Sequence, residues 1–473
     1  MYLENNIEIA EIFSAKEYET IRIHDEVEHE IRGKFDRDRD RILYSKSFRR
    51  LSGKTQVFLS GKDDHIRNRM THTLEVSQIA RTIAKALGLN EILTESIALG
   101  HDLGHTPFGH VGERTLNYIM CGCDQMRDFD CLTEGRGFKH NWQGIRVVTE
   151  LENVNTYEGL NLTEYTLWGI LNHSSLSYNK CGNKSEDNKC MLRRCGKNCN
   201  NLSGEFSLDF YKEYEDIISD EAITVEALIV ALADEIAQRH HDVEDALETK
   251  IMDFEELYNK IDEVYVQNTE VDKKKFLELK EIDDKEVKIT KLSSFLVNLL
   301  TFNSITNIQK SLDSIRKKYN IETPKDFENL KGNKKFISEL KENVYLDEKL
   351  KDKDSNFQRF ICNRILNSYK AQSMDGKGSF IVRELFKAYA ANPQQLPDKT
   401  IKTLFYNLEK RNVVKKLENT NIGHYRDELN KFHSKTNVEY ERVLMRTICD
   451  YISGMTDRYA MQLYSDLYET NQF

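Results

Sequence analysis

The sequence predicts an all-α fold, with a helical core and an additional, mostly helical C-terminal region. Two observations carry that expectation. The chain has only 4 prolines in 473 residues, so few positions lack the N–H and the φ freedom that a helix interior needs. Apolar residues also recur at helical spacing: Val76, Ile79, Ala80, Ile83 and Leu87 in one stretch, Ala227, Val230 and Ala231 in another.

Composition narrows the class. Hydrophobic residues make up 39% and charged residues 31%, as in a soluble and rather polar globular protein. The net charge of −10 argues against a general nucleic-acid coat while leaving room for a local basic patch. No apolar run approaches the roughly 18 residues that a membrane span needs, so no membrane association is expected. The start of the chain shows no basic segment followed by an apolar one, so no signal peptide is expected. Nine cysteines, an odd number, fit free thiols in a reducing cytoplasm.

In chain order, residues 1–35 read as an acidic, helical lead-in. Residues 36–250 read as the core, 251–360 as a charged helical accessory region and 361–473 as a helical region that completes the core. The core opens on alternating charges, Asp36 to Arg41, then Lys46, Arg49, Arg50 and Lys54 close to Gly53 and Gln56. Cations beside a glycine and an amide can hold a polyphosphate and read a sugar hydroxyl. The helix from Thr71 to Leu87 carries His72 four residues before Val76, on its buried face, where a histidine alone is more often a satisfied core residue than a ligand. The next helix, Glu91 to Asp102, delivers His101 and Asp102 at its C-terminal end. Gly104 relaxes the chain and Pro107 ends any continuation, leaving His105, His110 and Glu113 on a turn and the start of a further helix.

Helices continue through 115–180, with Phe138 to Gln143 as a patch that includes His140 and with Asn161 or Thr163 as a cap. Cys181, Cys190, Cys195 and Cys199 follow in a basic stretch. Their spacing lacks the paired C-x-x-C of a strong zinc site, so a second metal there competes with a solvated loop. From Asp220 to Leu247 a helix puts Asp234 at i+7 of an apolar stripe. A carboxylate there is costly unless paired or bound to a cation. Gln238 and Asp242 continue its face. Further on, Gly376-Lys377-Gly378 precedes a helix from Phe380 to Ala391 and is a weak phosphate-loop signal. The tail from Asp450 to Tyr459 mixes aromatics with Asp and Arg before a closing helix.

Two histidines and two aspartates, His72, His101, Asp102 and Asp234, form a mixed nitrogen and oxygen donor set with positions left for water. That set suits Mn, Mg, Co or Fe better than a closed thiolate zinc site. A divalent ion so held can polarise a phosphoryl oxygen. His105, His110 and His140 can bind phosphate oxygens or pass protons, and Glu113, three residues after His110, can orient its ring. No nucleophilic Ser or Cys constellation is present, so hydrolysis of a phosphate ester is the natural reaction.

The order of these motifs, from Arg39-Asp40-Arg41-Ile42-Leu43 and Lys54-Thr55-Gln56-Val57-Phe58 through Arg69-Met70-Thr71-His72, His101-Asp102-Leu103-Gly104-His105 and Ala233-Asp234-Glu235 to Gly454-Met455-Thr456-Asp457-Arg458-Tyr459, resembles the HD superfamily of metal-dependent phosphohydrolases. Within it, the pattern is most similar to the deoxynucleoside triphosphate triphosphohydrolases, the bacterial dGTPases above all. The likeness covers residues 36–250 closely and the last hundred thinly. It implies an HD-type helical core that splits a dNTP, most of all dGTP, into deoxynucleoside and inorganic triphosphate. It further implies His72, His101, Asp102 and Asp234 as metal ligands and His110 with Glu113 as the catalytic pair. His105, His140, Arg69 and Lys54 would meet the phosphates, and Gln56 and Asp242 the sugar. The family commonly has tyrosine where this chain has Gln238, four residues after the last ligand. A homo-oligomer, often a hexamer, and a nucleotide or single-stranded DNA effector are further implications. The alternatives are another HD phosphohydrolase, such as a nucleotidase or phosphodiesterase, and a nucleotide- or single-strand-binding regulator.

Overall fold

The computed structural model describes residues 7–56, 67–122, 124, 137–153, 157–176, 209–215, 217–269, 273–416, 421–433 and 437–469. The elements formed by these residues are all helices, with no strand among them; the only β pairings described are three isolated bridges, Arg22 with Thr163, Thr55 with Asn68 and Asn153 with Gly159. The all-α expectation holds. Among the described residues no helix is long and apolar enough to cross a membrane. The cysteine cluster of residues 181–199 lies outside the described residues.

Helix α1 (Ile7–Phe13) leads into an extended strap, followed by α2 (Lys34–Tyr44) and α3 (Lys46–Arg50). The core helices are α4 (Arg69–Leu87), α5 (Glu91–Gly100), α6 (Gly109–Met120), α7 (His140–Arg146), α8 (Glu164–Asn172) and α9 (Val225–Glu248). An outer set runs α10 (Phe254–Val264), α11 (Lys273–Glu278), α12 (Lys285–Tyr319), α13 (Pro324–Leu330), α14 (Lys334–Asn343) and α15 (Glu348–Leu366). The chain closes with α16 (Tyr369–Ala391), α17 (Asp398–Lys410), α18 (Ile422–His433), α19 (Val438–Ser453) and α20 (Asp457–Tyr468).

Local chemistry sets the ends of the helices that matter for the site. The Asn68 side chain accepts from Thr71 N at the start of α4, and Gly88, at φ 71°, stops it. Asn90 caps α5, Thr163 caps α8 and Thr224 caps α9 in the same way. The apolar stripe of α4, from Val76 to Leu87, is buried, and α4 packs between α5 and α9, with α12 laid along α9. One hydrophobic core runs through these elements and out into the C-terminal helices.

Two local expectations change. The lead-in is a short α1 and then an extended strap, because its charges serve tertiary ties rather than a helix surface. Arg22 Nη1 lies 2.6 Å from Asp38 Oδ1, and Glu26 pairs with Arg37 and Arg41. Asp38, from the alternating-charge block, is buried and also accepts from Thr163 N at 3.0 Å. The Gly376-x-Gly378 pair is not a loop: α16 begins at Tyr369 and runs through both glycines. A Cβ on Gly378 would lie 2.8 Å from the Phe108 Cβ, so the glycine permits a close helix approach and does not cradle phosphate.

Candidate metal centre and substrate site

The site lies where α4, the C-terminal end of α5 and the middle of α9 converge. His72 comes from the first turn of α4 and Asp234 from α9. His101 caps the C-terminus of α5, with Asp102 beside it. His72 Nε2 lies 3.0 Å from Asp234 Oδ1 and 4.0 Å from Asp102 Oδ2; His101 Nε2 lies 3.4 Å from Asp102 Oδ1 and 3.9 Å from Asp234 Oδ1. Metal–ligand bonds of about 2.1 Å put neighbouring donor atoms roughly 3 Å apart, so the spacing suits one shared ion.

The histidine tautomer argues the same way. His101 Nδ1 donates to Ala98 O at 2.6 Å, which leaves Nε2 as a lone pair facing the carboxylates. That Nε2 is fully buried and has no hydrogen-bond partner among the described residues. A buried acceptor without a donor is destabilising, and a divalent cation would satisfy it; the residues present therefore fit such an ion. Burial raises the Asp234 carboxyl, but the hydrogen bond from His72 and the surrounding imidazoles outweigh it and hold it well below the usual range. Burial acts likewise on Asp102, and the imidazoles of His105 and His101 with the Arg69 guanidinium hold it low.

A second layer of nitrogen groups stands on one side of this cluster. Arg69 Nη1 donates to Asp102 Oδ2 at 2.8 Å, while its buried Nε and Nη2 have no hydrogen-bond partner among the described residues. His105 Nε2 lies 3.1 Å from Asp102 Oδ1, and its ring stacks on that of His140 at 3.9 Å. His140 Nδ1 donates to Glu113 Oε2 at 2.7 Å. His110 is the exposed member, with 65% of its side chain accessible and Nδ1 3.8 Å from the same Glu113 oxygen. Glu113 therefore holds His140 directly and His110 only loosely, where the sequence suggested His110 as its partner. Gln56 Oε1 is buried without a partner among the described residues.

Other expected residues stand further off. On α9, Gln238 lies one turn beyond Asp234 and is half-buried. Asp242, two turns beyond, is buried against the Cys362 thiol at 3.5 Å, and burial pushes its carboxyl up to about 6. Lys54 does not offer its ammonium to the cluster. Nζ is buried and donates to His105 O and to Ser453 O, the latter at 2.9 Å, which makes it a tie between the His105 turn and the end of α19. Lys46, Arg50 and Lys54 line a cavity of about 320 Å³ to which none of the four cluster residues contributes.

Two buried histidines were not anticipated. His173, just past α8, sits with its Nε2 3.2 Å from His140 Nε2 and its ring 5.1 Å from that of His101. His241 packs its ring 5.1 Å from that of His72 and bonds Glu75. His241 was readable from its place seven residues after Asp234 on one helix; His173 carried no local signal.

Two imidazoles and two carboxylates, drawn from three helices to one buried point, define a helical hydrolase of the HD class. The HD domain model matches residues 69–239, and the phosphohydrolase-associated domain model matches 344–405 and 406–466. The chain is 32% identical over 460 residues to a deoxyguanosinetriphosphate triphosphohydrolase-like protein of Rickettsia bellii, covering 95% of each. It is 34% identical over 448 residues to one from Rickettsia canadensis, covering 94% of this chain and 96% of the relative. A third, from Leptospira interrogans, is 32% identical over 449 residues, covering 94% and 92%. The chain belongs to this deoxyguanosinetriphosphate triphosphohydrolase-like family of HD-domain phosphohydrolases.

Proposed function

We propose that the protein hydrolyses deoxynucleoside triphosphates, dGTP foremost, to the deoxynucleoside and inorganic triphosphate. The observation that supports this most is the pairing of an intact His72, His101, Asp102, Asp234 cluster with a bank of nitrogen donors on one side of it. A divalent ion, Mn, Mg, Co or Fe, held by those four residues would polarise the α-phosphoryl group and orient water toward it. Arg69, through its unpartnered Nη2, and His105 and His140 bind the phosphate oxygens and neutralise charge that grows there during attack. His110 gives a proton to the departing 5′-oxygen, which its exposed ring on the first turn of α6 can approach. Gln56, Gln238 and Asp242 meet the deoxyribose. An amide at 238 hydrogen-bonds but does not stack as tyrosine does, so discrimination against ribose rests on Gln56 and Asp242. The same reading includes a homo-oligomer, a nucleotide or single-stranded DNA effector and a cytoplasmic setting.

The test is to incubate the protein with each dNTP and NTP in the presence of Mn or Mg and identify the phosphate product. Triphosphate from dGTP is expected. Monophosphate or pyrophosphate would sink the reading, and turnover of NTPs comparable to that of dNTPs would remove the sugar assignment. His110→Ala should abolish turnover with metal content unchanged.

A further inference from the structure

The Asp450–Tyr459 stretch has no part in the chemistry above, yet one residue in it reaches both substrate loops. Helix α20 opens with Thr456, whose side chain accepts from Tyr459 N at 3.2 Å and caps the helix. Asp457 follows as the first helical residue. An acid there ordinarily faces solvent and favours the helix dipole. This one is 1% exposed and turned inward, and both of its oxygens are used on other elements. Oδ2 accepts from Thr55 N at 2.8 Å and from the Thr55 hydroxyl; Oδ1 accepts from Phe108 N at 2.8 Å.

The two residues that supply these three donors flank the proposed substrate contacts. Thr55 precedes Gln56. Phe108, held at φ 62°, lies two residues before His110 and opens α6. Few side chains adopt that backbone region without an external hold. The two loops also run close together, with Gln56 O 3.4 Å from where a Cβ on Gly109 would sit. Lys54 reinforces the junction by bonding His105 O and Ser453 O at the end of α19.

We infer that Asp457 is a positioning residue for the dNTP reaction: its carboxylate clamps the Gln56 loop to the His110 turn and sets the gap that the sugar and its 5′-oxygen must enter. This rests on the dNTP-hydrolase reading. Asp457 touches no substrate, and it leaves the metal cluster alone.

Asp457→Asn keeps the shape but places an NH2 group against the N–H of either Thr55 or Phe108, donor against donor, so one loop is released. The expected result is unchanged manganese content, at least a tenfold fall in kcat/KM for dGTP, and faster hydrogen exchange at the Thr55 and Phe108 amides. Thr456→Ala supplies the comparison, because it removes the cap of α20 while keeping every bond of Asp457. At a matched loss of thermal stability it should retain kcat/KM. Thr55→Val, which deletes one of the three donors, should show a smaller fall if Asp457→Asn does not fold, and Thr55→Ser should restore activity. Wild-type kcat/KM with protected amides in Asp457→Asn would overturn the inference, as would an equal loss in Thr456→Ala. If the wild type releases no triphosphate from any dNTP, the functional reading fails instead, and the amide exchange still decides whether the clamp exists.

Discussion

Glu113 shows how a residue's partner decides what it does. Spacing alone joins it to His110, three residues earlier on the same helix, but its carboxylate lies 2.7 Å from His140 and 3.8 Å from His110. A charge-assisted hydrogen bond between buried groups is strong, whereas a contact to an exposed ring is weak. A double-mutant cycle on thermal or denaturant unfolding should therefore give a coupling of about 1–3 kcal/mol for Glu113 with His140. For Glu113 with His110 it should be close to zero. Equal couplings would show that the pairing was misassigned. The four cluster residues were legible from donor chemistry and from the cost of a carboxylate on an apolar stripe. Glu113's partner and His173 were not, because contacts over 27 and 33 residues leave no periodic trace.

Lys54 carries a pH signature at the same scale. Burial lowers its ammonium from 10.5 to about 7, with the Arg50 and Arg69 guanidiniums adding to the effect. Below pH 7 both folded and unfolded chains hold the proton, and the folded one bears the full burden of a desolvated charge. Between about 7 and 10.5 the unfolded chain keeps a proton that the folded chain has released, so stability rises with pH. Urea unfolding should show wild type gaining on Lys54→Met from pH 7 to about pH 9, and losing that gain as pH falls back through 7. Parallel profiles would contradict the burial of this amine.

At the scale of elements, α16 illustrates what periodicity reads and what it misses. Its apolar residues mark the second half as a helix, but the two glycines suggested a loop in the first half. Gly378 is instead the point where α16 meets Phe108, with space for a hydrogen and no methyl. A Gly378→Ala change would favour the helix by propensity yet overpack this contact, which typically costs about 1–3 kcal/mol. Net destabilisation by urea unfolding is therefore expected, with reduced turnover because Phe108 leads into His110. A neutral or stabilising effect would mean that α16 can slide. The N-terminal strap escapes periodicity for a related reason. Its charged residues look like a solvated helix, and only their long-range partners Asp38, Arg37 and Arg41 show that they fasten an extended segment.

The whole molecule is organised so that distant segments are linked in series, Asp457 to Thr55 and Phe108, Glu113 to His140, His140 to His105, and His105 to Asp102, where the cluster joins residues 72, 101, 102 and 234. Asp102 and Asp234 are carboxylates desolvated among imidazoles, and His101 Nε2 has no hydrogen-bond partner among the described residues. The folded state alone presents this donor set, so binding stabilises it in proportion to the logarithm of free metal over Kd. A hundredfold excess adds about 2.7 kcal/mol. Chelation should therefore lower the melting temperature, and returning manganese should restore it. The effect should be uneven across the fold. Amides of α4, α5 and α9, which supply the ligands, should lose protection against exchange on chelation. Those of α10, α11, α13 and α14, which supply none, should change little. Asp234→Ala should abolish the response to manganese while its chelated form still melts cooperatively. If manganese raised the melting temperature of Asp234→Ala as much as that of the wild type, the ion would be binding elsewhere and the four-residue cluster would not be its site.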